Sequence, residues 1–239
     1  MHRSYHQWHS TALDRTMELL VFGHAGALVL VFPTSNGRFY DYEEHGMIEA
    51  LRHPIEQGWF QLICLDSIDG ESWYNYGEQS GTRLFRHDQY EGYILTEVIP
   101  FARQNNPHPY LIVTGCSFGA SHAINFGFRH PESVNRIVAL SGLYDLRRFF
   151  GGDTHDSIYF HNPVEFMQNM PESPQLDAIR KQDIILAIGK EDPAAWSNDR
   201  LSQILWSKNV WHAMRWWNGW AHDWPYWQQM IQRYIGGHD

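Results

Sequence analysis

The chain has 239 residues, 43% of them hydrophobic and 19% charged, a length and composition that suit one α/β domain. A formal net charge of −9 with only 18 Lys and Arg excludes a phosphate-binding surface, so no nucleic-acid partner is predicted. No apolar run reaches the ~18 to 20 residues of a membrane span, and no membrane partner is predicted.

The opening residues, Met-His-Arg-Ser-Tyr-His-Gln-Trp-His-Ser, are polar and aromatic where a secretory signal needs a continuous apolar segment, so a cytoplasmic location is expected. Short apolar runs then predict strands over Met17–Phe22, Ala27–Phe32, Phe60–Leu65, Tyr110–Thr114, Arg136–Leu140 and Asp183–Ile188. The first two read as a hairpin around Gly23-His-Ala-Gly26. Helical stretches are predicted over Asp88–Asn105, Phe118–His130 and Asn198–Lys208, and a last strand over Trp211–Trp216. Cys64 and Cys116 fall inside buried strands, which favours reduced thiols over a disulfide framework.

Apolar strands alternating with helices imply a mostly parallel central sheet covered by helices on both faces. With its antiparallel start, this is the α/β pattern of an α/β-hydrolase fold in a single domain spanning 1–239. From Leu143 to Gln182 the rhythm breaks, and a small cap insertion over the site is expected there.

Gly115-Cys-Ser-Phe-Gly119 follows a strand and precedes a helix, which is the context of a nucleophile elbow. A serine hydroxyl needs a base to take its proton, and a strand-to-helix turn lifts Oγ above the sheet while aiming free N–H groups at a developing oxyanion. Ser117 is therefore the predicted nucleophile, and Cys116 a core residue. The chain order Ser, acid, His then directs attention to Lys190-Glu191-Asp192-Pro193 at the end of a strand. Asp192 is the predicted acid, with Glu191 its competitor. Of the later histidines, His212 falls in a strand and His238 in a terminal tail expected to be mobile. His222 remains, in a loop before a helix that Asp223 can cap and Pro225 can open.

One oxyanion donor is the N–H of Phe118. The second is assigned to the loop after Phe32, with Ser35 preferred over Thr34 and Asn36. Trp220 and Trp224 flank the histidine as expected pocket residues, while most of the other C-terminal tryptophans are expected to pack. Asp153, His155 and Asp156 fit no strong metal-ligand spacing, and neither a metal nor a cofactor is predicted.

Val-Phe-Pro-Thr-Ser-Asn-Gly, Leu-Asp-Ser-Ile-Asp-Gly-Glu-Ser-Trp-Tyr, Gly-Cys-Ser-Phe-Gly-Ala, Ile-Gly-Lys-Glu-Asp and Ala-His-Asp-Trp-Pro-Tyr-Trp together resemble the putative esterase family of α/β-hydrolases. That group includes mycolyltransferases, enterochelin esterases and S-formylglutathione hydrolase. The resemblance runs from about Met17 to Ile235. It implies a serine carboxylesterase cleaving carboxylic esters or thioesters of small molecules through an acyl-enzyme, with Ser117, Asp192 and His222 as the triad. It also places the Ser72-Trp73-Tyr74 loop beside the site, with Trp73 touching substrate. Two features depart from relatives: no secretion signal is read, and Pro-Thr-Ser stands where several carry Gly-Leu. An acyltransferase using the same triad is the alternative, and a non-catalytic binding protein on a hydrolase scaffold the second. The acyl and alcohol groups and the oligomeric state, a homo-oligomer included, are left open by the sequence.

Overall fold

The computed structural model describes residues 1–237, so His238 lies outside the described residues. Eight strands form one sheet: β1 (Arg3–Ser10), β2 (Arg15–Phe22), β3 (Ala27–Phe32), β4 (Phe60–Leu65), β5 (Leu111–Cys116), β6 (Arg136–Leu140), β7 (Asp183–Gly189) and β8 (Ala213–Trp217). Their spatial order is β1-β2-β4-β3-β5-β6-β7-β8. β2 runs antiparallel to β1 and β4, and every other neighbouring pair is parallel.

The side-chain alternation of a strand explains why the inner strands are apolar throughout. In β3, Leu28, Leu30 and Phe32 join the core on one face, while Val29 and Val31 join the core on the other. The helix Phe118–Arg129 covers the first face, and the helix Trp224–Tyr234 with the short helical turns between residues 41 and 56 covers the second.

Two expectations are corrected. Met17–Phe22 and Ala27–Phe32 are not a hairpin: β2 pairs with β1 and β4, and β3 lies between β4 and β5. All six residues of β3 are buried, and a position between two parallel strands satisfies both of its edges. The true hairpin joins β1 to β2 around residues 11–14, and β1 was not among the predicted strands. Its pattern, Arg3 to Ser10, alternates in exposure, but the less exposed side carries Ser4, His6, Trp8 and Ser10, of which only Trp8 is a hydrophobic residue packed on the main core.

The stretch 143–182 divides in two. A 3-10 turn, Arg147–Phe150, and the helix Asp156–Phe160 pack with Trp73, Leu84 and Phe118 in a small separate core. The helices Pro163–Asn169 and Pro174–Ile179 instead bury Val164, Met167, Leu176 and Ile179 in the main core. Only the first part, through Leu143, Arg148 and Phe149, borders the cleft described next.

Candidate active site

Ser117 stands between β5 and the helix Phe118–Arg129 with φ 56° and ψ −121°, a conformation that L-residues rarely adopt. The tightness of the turn explains the glycines. A Cβ on Gly119 would lie 2.5 Å from the carbonyl oxygens of Phe32 and Pro33, and one on Gly115 would collide with the Gly119 backbone. These contacts bring the helix start against the end of β3. Because Phe118 is the first helical residue, its N–H has no intrahelical acceptor.

His222 Nε2 lies 3.0 Å from Ser117 Oγ, and His222 Nδ1 lies 2.6 Å from Asp192 Oδ2. Asp192 is buried, and its other oxygen accepts the Ala194 N–H at 2.8 Å. Glu191 is exposed and makes no such contact; its backbone N–H donates to the Gly219 carbonyl at 3.0 Å. Successive side chains diverge at the end of β7, and only Asp192 turns inward. Asp223 caps the helix Trp224–Tyr234 by accepting the Trp224 N–H at 2.7 Å.

The loop carrying His222 is tied down by Ser141, which sequence reasoning did not single out. Ser141 and Ala221 both have positive φ, at 55° and 45°. The Ser141 hydroxyl donates to the Ala221 carbonyl at 3.3 Å and accepts from Trp227 Nε1 at 3.0 Å. Its signal in the sequence was positional only: it follows β6 at the carboxyl edge of the sheet, where sites of parallel sheets gather.

Ser117, Phe118, Asp192 and His222 open on a cleft of about 220 Å³ that Ser35, Tyr74, Ser141, Leu143, Arg148, Phe149 and Trp220 also line. Of the three alternatives for a second oxyanion donor, only Ser35 borders this cleft. The Asn36 N–H donates to Asp69 Oδ2 at 3.0 Å, and the Thr34 hydroxyl donates to Asp41 at 3.0 Å. Cys116 is fully buried beside Tyr42, and burial pushes its thiol up to about 12, so it stays protonated at neutral pH.

Trp220 borders the cleft, half-exposed, with its indole stacked on His222 at 5.6 Å and 27°. Trp73 and Trp224 do not border it. Trp73 is only 1% exposed and lies behind Phe118 and Phe149, at 5.6 and 5.9 Å, in the small core; its neighbour Tyr74 takes the cleft position. The loop expected beside the site is there, but the alternation of its side chains reverses the residue that faces outward. Trp224 sits on the far side of the histidine loop, stacked on His45 at 4.1 Å and packed against Trp227 at 5.0 Å.

No helix among the described residues is long and apolar enough to cross a membrane. Solved structures similar over nearly the whole chain include a ferulic acid esterase (TM-score 0.80, 17% identity, 98% of this chain and 96% of that one). They also include the S-formylglutathione hydrolase FrmB of Staphylococcus aureus (TM-score 0.70, 19% identity, 98% and 96%). A third is an S-formylglutathione hydrolase of Agrobacterium tumefaciens (TM-score 0.74, 13% identity, 98% and 93%). A search of curated proteins finds no match. At these identities the likeness shows the fold, an α/β-hydrolase. Residues 66–236 match the family model described as Putative esterase, a span that holds Ser117, Asp192 and His222, and the chain belongs to that esterase family.

Proposed function

We propose that the protein is a serine esterase that hydrolyses small carboxylic esters or thioesters through an acyl-enzyme on Ser117. One observation carries this reading: the unbroken chain Asp192–His222–Ser117, at 2.6 and 3.0 Å, that ends on a strained serine at the floor of an open cleft. Its neighbours in structure, named for ester and thioester cleavage, support the same class of bond.

His222 Nε2 takes the hydroxyl proton as Ser117 Oγ attacks the acyl carbon. Asp192 accepts a hydrogen bond from Nδ1–H, which fixes the tautomer that leaves Nε2 free as a base and stabilises the imidazolium that forms. The carbonyl oxygen, now an oxyanion, is held by the N–H groups of Phe118 and Ser35. As the tetrahedral centre collapses, His222 returns the proton to the departing alcohol or thiol. Water then repeats the sequence on the acyl-serine and regenerates the free enzyme. Trp220 is half-exposed at the edge of the cleft, which leaves water a route to that intermediate.

The experiment is a panel of p-nitrophenyl esters of increasing acyl length, with wild type and Ser117→Ala, together with a fluorophosphonate probe. Turnover by wild type, its loss in Ser117→Ala, and labelling at Ser117 alone are expected. Labelling at Cys116, or undiminished turnover in Ser117→Ala, would refute the assignment.

A further inference from the structure

Asp69 is a buried carboxylate outside the triad, and its two oxygens bind groups from different parts of the fold. Oδ1 lies 2.9 Å from His122 Nε2, and Oδ2 accepts the Asn36 N–H at 3.0 Å. His122 belongs to the nucleophile helix, four residues after Phe118, and its ring meets Phe118 edge-on at 4.6 Å while stacking on Phe32 at 5.9 Å. Asn36 follows Ser35 in the loop after β3 and has φ 52°, a conformation that Asn tolerates but that needs holding in place. The two sides joined by Asp69 are therefore the two sides that supply the oxyanion donors.

A second link runs in parallel. The Asp69 carbonyl accepts the Tyr74 N–H at 2.8 Å, and the Tyr74 hydroxyl donates to Ser35 Oγ at 2.8 Å. The loop 34–36 is thus pinned to the 69–74 segment at both Ser35 and Asn36, and that segment is pinned to the nucleophile helix through His122. Packing of Gly119 against the Phe32 and Pro33 carbonyls sets how closely helix and loop approach but not the direction of the loop's N–H groups.

We propose that Asp69 and His122 form a brace that sets the position of the Ser35 N–H relative to the Phe118 N–H, and so are positioning residues of the reaction. The proposal rests on the reading of Ser117 and its oxyanion donors given above. Burying a carboxylate and an imidazole is costly, and well-packed apolar residues of like volume often serve stability as well or better. What an apolar pair cannot supply is an acceptor aimed at one particular N–H. An oxyanion hole needs that aim, because its donors act only at about 2.7 to 3.1 Å from the developing charge. A misplacement of about 1 Å can cost ~10²-fold in rate.

The test uses the full chain, with active sites counted by exhaustive fluorophosphonate titration, and the variants Asp69→Ala, His122→Phe and Asp69→Asn. His122→Phe keeps the ring packing on Phe32 and Phe118 but removes the hydrogen bond. Asp69→Ala and His122→Phe should each lower kcat per titrated site on p-nitrophenyl acetate by roughly 10- to 100-fold, less than the ~10²–10³ lost on deleting a donor. KM should stay within about twofold, and affinity for a trifluoromethyl ketone, whose serine adduct carries an oxyanion, should fall by the same factor as kcat. The double variant should be no worse than the poorer single one. Asp69→Asn should recover most of the rate, since its oxygen can still accept from Asn36 and its amide can donate to His122 in the other tautomer. Unchanged kcat and ketone affinity in His122→Phe would overturn the proposal, as would losses that multiply in the double variant or a rate loss with ketone affinity intact. If Asp69→Ala does not fold, His122→Phe and Asp69→Asn decide the matter. Failure of the underlying esterase reading looks different: wild type itself would then neither turn over esters nor label at Ser117.

Discussion

Gly189 and the Trp220 carbonyl meet backbone to backbone, so closely that a Cβ at position 189 would overlap that oxygen. Gly189 ends β7, three residues before Asp192, and Trp220 stands two residues before His222. The contact, with the Lys190 N–H donating to the Trp217 carbonyl at 2.9 Å, is what brings the acid and the base within reach of each other. Gly189→Ala should therefore push the histidine loop outward and lower kcat by 10-fold or more, on the scale of about 10²-fold for a 1 Å misplacement. Steady-state kinetics on a protein shown by circular dichroism to be folded checks it; wild-type turnover would mean that the loop yields without moving His222.

The exposed Glu191 and the inward Asp192 give a second expectation. Asp192→Asn favours the wrong imidazole tautomer and should cost up to ~10⁴ in kcat, the scale seen when the orienting acid of a serine protease is amidated. Glu191→Gln should cost less than about threefold, because Glu191 is exposed and the contact with His222 is made by Asp192. Turnover numbers of the two variants in the opposite order would transfer the orienting role to Glu191.

Ser117 holds a backbone conformation that glycine adopts freely, at a cost of ~1 to 3 kcal/mol for other residues. Glycine also gives the unfolded chain more freedom, which takes back ~0.4 to 1 kcal/mol. Both Ser117→Gly and Ser117→Ala remove the hydroxyl, so their difference isolates the backbone. Ser117→Gly should be the more stable by ~0.5 to 2 kcal/mol in urea unfolding, and equal midpoints would show that the elbow is not strained.

Phe149 borders the cleft, whereas Phe150 faces the adjoining pocket beside Arg83. Phe149→Ala should shift the preferred acyl length on the p-nitrophenyl panel, and Phe150→Ala should leave it unchanged. Equal effects from both would mean that the 3-10 turn Arg147–Phe150 moves as a unit on binding.

His87 is buried against Trp73, His122 and His161, with Nε2 3.4 Å from Glu91 Oε1, and burial above all lowers its pKa to about 4. Because the unfolded chain binds this proton from pH 6.5 downward and the folded chain does not, stability should fall as pH drops from about 6.5 to 4. Glu91, held well below the usual carboxylate range by His130, His87 and Arg129 against its own burial, adds to acid loss only below about pH 4.5. His87→Gln should therefore flatten the stability profile between pH 6.5 and 4.5. An unaltered slope in chemical denaturation over that window would assign the acid sensitivity to other groups.

The sequence by itself determined the elements whose signal is local. Apolar runs located β2 to β7 because strands buried on both faces leave no room for polar residues, and glycines two residues either side of Ser117 marked a turn that no side chain could share. The order of serine, acid and histidine was legible for the same reason, since each lies at a strand end or helix start with its own turn chemistry. Tertiary structure alone decided the rest. Whether β2 folds back on β3 or on β1 depends on which edges remain open once the parallel strands have assembled, and the inward side of Arg3 to Ser10 carries a single large hydrophobic residue, Trp8, among Ser4, His6 and Ser10. Trp73 and Tyr74 are adjacent in sequence, and only the packing of Phe118 and Phe149 selects which of them reaches the cleft. Asp69, His122 and Asn36 are separated by more than thirty residues from one another, so the carboxylate that joins them is visible only when the nucleophile helix, the loop after β3 and the 3-10 turn Asp69–Glu71 have met in space.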